Sequence, residues 1–248
     1  MNKITEISLR SSNNPESLIN YKRLQKNKIV AMVPVRAGSK RVPNKNIRQF
    51  ANTNLLKLKL KILKKVKGIT QIIVSTDCNI AADIAHKENV KVQWRNKYYA
   101  GSNITNDKHW LHIAKTSPGD IIFLAQVTSP LLRVSSIQNA LNTFLNSDVY
   151  DSLNSVSVEK KFLWKDMKPI NYDIDVTPKS QDLPNIFSLN FAITIIQKLM
   201  MIKRKNVIGF NPSFLELDKV EALDIDDLVD FKIAELIYKE RGIEWLMN

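Results

Sequence analysis

Sulfur and glycine are scarce in this 248-residue chain, and long apolar runs are missing from it. Its single cysteine, Cys78, excludes an internal disulfide and leaves too little sulfur for a thiolate zinc site, as suits a reducing cytoplasm. No stretch approaches the roughly 18 consecutive apolar residues of a membrane span, and the opening MNKITEISLRSSNNPES lacks the apolar core of a secretory leader. The expectation is a soluble, cytoplasmic protein without a membrane partner. Histidine is rare too, with three residues in all. His109 and His112 flank Trp110 with only Asp107 nearby as a further ligand, so the pair reads as surface or packing residues and not as a metal centre.

What is present fits one large α/β domain with a smaller appendage: 44% of residues are hydrophobic and 25% charged, enough to bury a core. The formal charge of +13 raises nucleic acid as a partner, because a basic surface is the electrostatic footprint of phosphate binding. The lysines, however, are spread along the whole chain, and the excess reads as general attraction for anions, with no nucleic acid expected.

The most informative stretch is Val33–Asn46, VPVRAGSKRVPNKN. Ile29–Val33 reads as a strand buried on both faces, with Pro34 expected to end its pairing. The loop that follows holds one of only six glycines, Gly38, where the backbone turns with positive φ or approaches a ligand closely. Arg36, Lys40, Arg41 and Lys45 surround it, with the Ser39 hydroxyl and backbone N–H groups as further donors, a set suited to a polyphosphate. The spacing matches neither the Walker loop nor the GxGxxG fingerprint.

Further along, Asn54–Lys67 reads as an amphipathic helix ended by Gly68, with its lysines on a solvated face. Gln71–Asp77 is a second buried strand with a polar end, Ile80–Glu88 a short helix, and Val90–Gln93 a third strand leading to Arg95. Asp120–Leu124 is a fourth strand and runs into QVTSPLLR, Gln126–Arg133, in which Ser129 and Pro130 are expected to cap and start a helix. Gln126 and Thr128 offer hydrogen bonds to a polyhydroxylated substrate. Alternation in a short strand over Glu221–Asp227 sets Asp224 and Asp226 on one face, where like charges need cations, and Mg2+ supplies them with a preference for hard oxygen ligands. Leu228–Tyr238 closes the chain as an amphipathic helix.

The spacing RxGSKRxPxKN, carried by Arg36, Gly38, Ser39, Lys40, Pro43, Lys45 and Asn46, resembles the signature of the N-acylneuraminate cytidylyltransferases, the CMP-sialic acid synthetases. Gln126–Arg133 resembles that family's QPTSPLxR motif with valine for its first proline, and Asp224 and Asp226 fall on its D-x-D metal pair. The resemblance spans about Lys28 to Glu240. It implies a three-layer α/β/α nucleotide-sugar transferase fold, Rossmann-like, with a mostly parallel sheet and a small dimerisation insertion. Residues 1–27 would be an N-terminal extension with a possible helix over Pro15–Gln25, 28–240 the catalytic domain with the insertion at about 151–185, and 241–248 a tail.

The implied reaction joins CTP to an α-keto acid sugar with Mg2+ as cofactor, in a homodimer. Arg36, Lys40 and Lys45 would neutralise charge at the transferred phosphate, and Arg36, Gly38, Ser39, Lys40, Lys45, Asn46 and Arg95 would hold the nucleotide. Gln126, Thr128, Lys165 and Asn190 would hold the sugar, and Asp224 and Asp226 the metal. The chain departs from the family after Arg95, at Ser180 where an arginine is usual, and at Phe191 and Thr194, where glycine and tyrosine are usual. Those two changes predict a sugar other than N-acetylneuraminate, or else a non-catalytic binding relative.

Overall fold

The computed structural model describes residues 27–39, 41–101 and 103–248, together with the backbone of the strand Ile4–Thr5. The expected helix over Pro15–Gln25 and the side chain of Lys40 lie outside the described residues.

Strands and helices follow in the order β1 (Ile4–Thr5), β2 (Ile29–Val35), β3 (Gln49–Phe50), β4 (Thr53–Asn54), α1 (Leu55–Lys65), β5 (Ile69–Thr76), α2 (Asn79–Lys87), β6 (Lys91–Trp94), α3 (Lys97–Ala100), α4 (Asn106–Thr116) and β7 (Ile121–Leu124). The second half adds α5 (Val134–Leu145), β8 (Ser152–Glu159), β9 (Trp164–Lys165), β10 (Lys168–Pro169), β11 (Ile186–Gln197), α6 (Lys198–Arg204), β12 (Pro212–Glu216) and α7 (Leu228–Met247). Eight strands form one sheet in the order β1-β12-β8-β11-β7-β2-β5-β6. Its β7-β2-β5-β6 half is parallel throughout, whereas β11 runs antiparallel to both β7 and β8.

The alternation along β2 explains the layers. Ile29, Ala31, Val33 and Val35 face a large apolar cluster with Leu55, Leu56, Phe144 and Phe231, so α1, α5 and α7 cover one side of the sheet. Val30 and Met32 face a second cluster with Ile113, Ala114, Met200 and Met201, from α4 and α6. Every position of β2 is therefore apolar because both its faces are covered. The expected three-layer fold with a mostly parallel sheet is observed.

Several local expectations are corrected. Pro34 does not end the strand: β2 stays in register with β5 as far as Val35, opposite Thr76. Pairing with β7 stops at Met32, so the proline occupies the part of β2 that is an edge on that side. Ser129 and Pro130 do not start a helix. The N-cap of α5 is Arg133, and a distant carboxylate, Glu221, accepts from its backbone N–H at 2.9 Å and from Ser136 Oγ at 2.9 Å. Glu221 is fully buried and also pairs with the Arg133 guanidinium at 2.6 Å.

The lysines of α1 do not share one solvated face. Lys59 is 1% exposed and donates to the Ser129 carbonyl at 2.8 Å; burial pushes its pKa down to about 7. Glu221–Asp227 is not a strand, although Ile225 is buried and its N–H reaches Thr128 O at 2.9 Å. Residues 241–248 are not a tail, because α7 continues to Met247 across a bend at Gly242 (φ 72°) and buries Leu246.

Candidate active site

Four parallel strands deliver their carboxyl ends to one place, as ligand sites in open α/β sheets require. β2 leads to Arg36, β5 to Asp77, β6 to Arg95 and β7 to Gln126. Between these loops opens a cleft of about 520 Å³. Its lining includes Arg36, Ser39, Arg41, Lys45 and Asp226, then Asn46, Arg95, Gln126 and Thr128, and a wall from the segment after Arg95 with Tyr99, Gly101, Ile104, Asn106 and His109.

The loop after β2 is built for this position. Gly38 has φ 69°, and nothing lies within 4 Å of the place where a Cβ would stand, so the backbone turn and not crowding calls for glycine. The Ala37 N–H donates to Asp77 Oδ1 at 2.9 Å, tying the loop to the end of β5. On its far side the Asn46 carbonyl accepts from Leu56 N at 3.0 Å, fixing the loop to α1. The Asn46 side chain is buried, and its Oδ1 makes no hydrogen bond among the described residues. An unpaired buried acceptor is costly, and its place on the cleft wall marks it for a donor on a ligand.

Asp224 and Asp226 stand opposite the loop. They are held between the Ile225 N–H bond to Thr128 and the start of α7, where Asp227 and Asp230 form a reciprocal cap. Arg41 meets Asp226 at 2.5 Å, and the Lys45 ammonium donates to the Ile225 carbonyl between the two carboxylates. Loss of solvent around the Asp224 carboxyl pushes its pKa up; the Thr128 hydroxyl bond opposes this and the Asp226 charge adds to it. Burial pushes Lys45 down, and both carboxylates pull it back. Among the described residues there is no group of three His, Cys, Asp or Glu side chains placed for a metal. Two carboxylates nevertheless fit Mg2+, which takes one or two protein oxygens and completes its shell with water and substrate phosphates.

Arg95 is 5% exposed and its Nε has no hydrogen-bond partner among the described residues, while its backbone N–H bonds Thr76 O at 2.8 Å. Burial lowers its pKa, with Asp77 the main opposing charge and Arg36 adding to the lowering. Of the residues expected from sequence, Arg36, Ser39, Lys45, Asn46, Arg95, Gln126, Thr128 and Asp226 line the cleft, and Asp224 sits beside them through Thr128.

Lys165 and Asn190 do not line it. Lys165 is exposed on the β9–β10 hairpin. The Asn190 amide is engaged internally: its Oδ1 accepts from Ser155 Oγ at 2.5 Å and its Nδ2 donates to Ser157 Oγ at 3.0 Å. Thr194 is buried against Asn154, and Phe191 stands at a bulge with φ 54°. Neither lines the cleft. Sequence reading missed Arg41 as a carboxylate partner, and Tyr99, Asn106 and His109 as cleft walls. Their only signal was position just after Arg95, in a segment without a motif.

A mostly parallel sheet with a cationic loop and a carboxylate pair at its carboxyl edge defines the molecule as a nucleotide-handling transferase of the α/β class. The family model described as cytidylyltransferase matches residues 30–174, more than half of the chain. The chain belongs to the cytidylyltransferase family and is a nucleotidyltransferase. Similar curated proteins include post-translational flagellin modification protein B of Campylobacter coli, 23% identical over 87% of this chain and 97% of that one. CMP-N,N'-diacetyllegionaminic acid synthase of Legionella pneumophila is 27% identical over 84% and 95%. N-acylneuraminate cytidylyltransferase of Escherichia coli is 26% identical over 87% of this chain but 53% of its own length. Among solved structures, CMP:2-keto-3-deoxy-manno-octonic acid synthetase complexed with CTP shares the fold at TM-score 0.65 and 12% identity, over 87% of this chain and 100% of that one. 4-Diphosphocytidyl-2C-methyl-D-erythritol synthase of Anaerococcus prevotii shares it at TM-score 0.65 and 14% identity, over 86% and 96%.

Proposed function

We propose that the enzyme transfers the cytidylyl group of CTP to the anomeric hydroxyl of a nonulosonic acid, an α-keto acid sugar, and releases pyrophosphate. The observation that carries this reading is the cleft itself, which sets Arg36, Lys45 and Arg41 across from Asp224 and Asp226 and places Gln126 and Thr128 beside them. The hydroxyl oxygen forms a bond to the α-phosphorus as the bond to the bridging oxygen breaks, and the hydroxyl proton is lost. Such a displacement asks for positioning and charge neutralisation above all. Arg36 and Lys45 neutralise the phosphates and the departing pyrophosphate, with Lys40 adjacent in the chain. Ser39 and the backbone of the Gly38 turn supply uncharged donors. Asp224 and Asp226 would hold Mg2+, which when bound screens phosphate charge. Gln126 supplies donors and an acceptor for the sugar.

A nonulosonic acid fits the activities for which the Legionella and Escherichia coli relatives are named. Phe191, in place of the family glycine, favours one other than N-acetylneuraminate. Ile195 of β11 lies opposite Phe123 of β7, so Phe191 lies farther along in the direction in which β7 leads to Gln126.

A homodimer also belongs to this reading. The β9–β10 hairpin stands apart from the main sheet, and on it and its flanks Phe162, Trp164, Met167, Ile170 and Val176 are exposed. Apolar groups gathered on a projecting element mark an interaction surface.

The experiment is to supply CTP, Mg2+ and a panel of eight- and nine-carbon α-keto acid sugars and to follow pyrophosphate. Sugar-dependent release is expected, weak with N-acetylneuraminate and stronger with another member such as N,N'-diacetyllegionaminic acid. Folded protein that binds CTP yet releases pyrophosphate with none of them would leave only the binding-relative reading.

A further inference from the structure

His109 stands in the cleft as a locked hydrogen-bond acceptor. It lies on α4 and lines the cleft. Its Nδ1 is 3.3 Å from the Tyr99 carbonyl oxygen, an atom that only accepts, so Nδ1 carries the proton in this contact. The neutral ring then holds its lone pair on Nε2. Burial, with the Arg95 charge second, pushes the ring pKa down to about 4, and it stays neutral through the physiological range. Tyr99 cannot turn its carbonyl away freely, because its own ring is stacked on His112 at 3.8 Å between centroids and 8° between planes. His109 and His112 together clamp α3 onto α4.

Cations and carboxylates in the cleft suit a triphosphate, and the wall formed by Tyr99, Ile104 and His109 suits a flat, uncharged base. Cytosine presents along its pairing edge a donor amine and then two acceptors, N3 and O2. Uracil presents a carbonyl where cytosine has the amine, and an N–H at N3. Arg95, with its unpartnered Nε and no capacity to accept, answers acceptors. A fixed acceptor beside it answers the amine. Asn106 also lines the cleft, but an amide can turn to offer either a donor or an acceptor and so discriminates poorly.

We propose that His109 is a base-reading residue, whose Nε2 accepts a hydrogen bond from the exocyclic amine of cytosine and thereby selects CTP over UTP. The assignment rests on the cytidylyl-transfer reading of the cleft.

The test is equilibrium binding, without sugar, of CTP, UTP and the 2-pyrimidinone ribonucleoside triphosphate, which lacks the amine, to wild type and His109→Phe in Mg2+. Wild type is expected to hold CTP on the order of tenfold more tightly than either competitor, as a hydrogen bond to a well-placed group warrants. In His109→Phe the CTP affinity should fall toward that of the 2-pyrimidinone nucleotide while the latter changes little. Equal weakening of all three nucleotides would make His109 only a clamp and overturn the proposal. An unchanged preference in the variant, or a wild type that does not distinguish the three, would overturn it as well. A wild type that binds none of them removes the cytidylyl reading itself, a different result from any of these. His109→Leu is read by the same ratios if the phenylalanine variant does not fold.

Discussion

Phe191 combines two costs that a strand residue ordinarily avoids. Its backbone is left-handed at φ 54°, where a side chain meets the neighbouring carbonyl, and its ring is 37% exposed at a break in the register between β11 and β8. Glycine, the residue that the resemblance leads one to expect here, is the one such a bulge favours. We predict that Phe191→Gly changes stability by less than about 1 kcal/mol, since relief of the left-handed strain offsets the lost packing and the added chain entropy. A buried aromatic truncated in a strand would cost roughly 3–5 kcal/mol. Urea unfolding of the variant decides between the two, and a loss in the larger range would show that the ring is a core residue. The same variant is expected to raise turnover of N-acetylneuraminate relative to wild type.

At this scale the sequence was legible where chemistry is local and opaque where it is not. Gly38 was readable because a left-handed turn has a residue type of its own. Lys59 was not. It sits among lysines that do face solvent, and only the packing of α1 beneath the Gln126–Arg133 loop turns it inward to the Ser129 carbonyl.

Among the elements, the β9–β10 hairpin is the one whose sequence conflicts most with an isolated existence. Its two-residue turn, Asp166 and Met167, has positive φ at both positions, the geometry that hairpins prefer, yet Met167 is neither glycine nor asparagine and is 88% exposed. An apolar side chain held in that strained place at the tip of a projecting hairpin is expected to be covered by a second copy of the chain. Light scattering at tens of micromolar should give the mass of a dimer, with Met167→Asp shifting it toward monomer. A monomeric wild type at that concentration would refute this use of the hairpin.

Element boundaries were legible to within a few residues for β5, α2 and β7, because apolar periodicity decides them. The start of α5 was not, since Ser129-Pro130 imitates a helix start. The N-cap is Arg133, and the Glu221 carboxylate that accepts from its N–H lies 88 residues away in the chain, where no local pattern announces it. Similarly the alternation of Glu221–Asp227 mimics a strand, although Glu221 and Ala222 lie in a turn and the segment is fixed by one backbone bond to Thr128 and by the cap of α7.

The whole molecule works by convergence. The sheet brings the loop after β2, Arg95 after β6 and Gln126 after β7 to one edge, and α7 brings the carboxylate pair to face them. The three motifs were visible in order along the chain. The wall formed by Tyr99, Asn106 and His109 was not, because it depends on α3 being clamped onto α4 by ring stacking and a side-chain bond to a carbonyl.

The central claim is that this edge transfers a cytidylyl group with Asp224 and Asp226 as the metal-holding pair. The Arg41–Asp226 contact is largely exposed, so its loss costs at most about 1 kcal/mol, and relief of the repulsion between the carboxylates works against that loss. Asp226→Asn is therefore expected to unfold within about 1 kcal/mol of wild type. The decisive measurement follows CTP labelled at its α-phosphate, with Mg2+ and the best nonulosonic acid, in wild type and Asp226→Asn side by side. Label is expected to pass into a CMP-sugar with unlabelled pyrophosphate in wild type, and that transfer to fall by at least a hundredfold in the equally stable variant. Label that stays in CTP with folded, CTP-binding wild type, or an Asp226→Asn protein that keeps its Mg2+-dependent transfer, would contradict it.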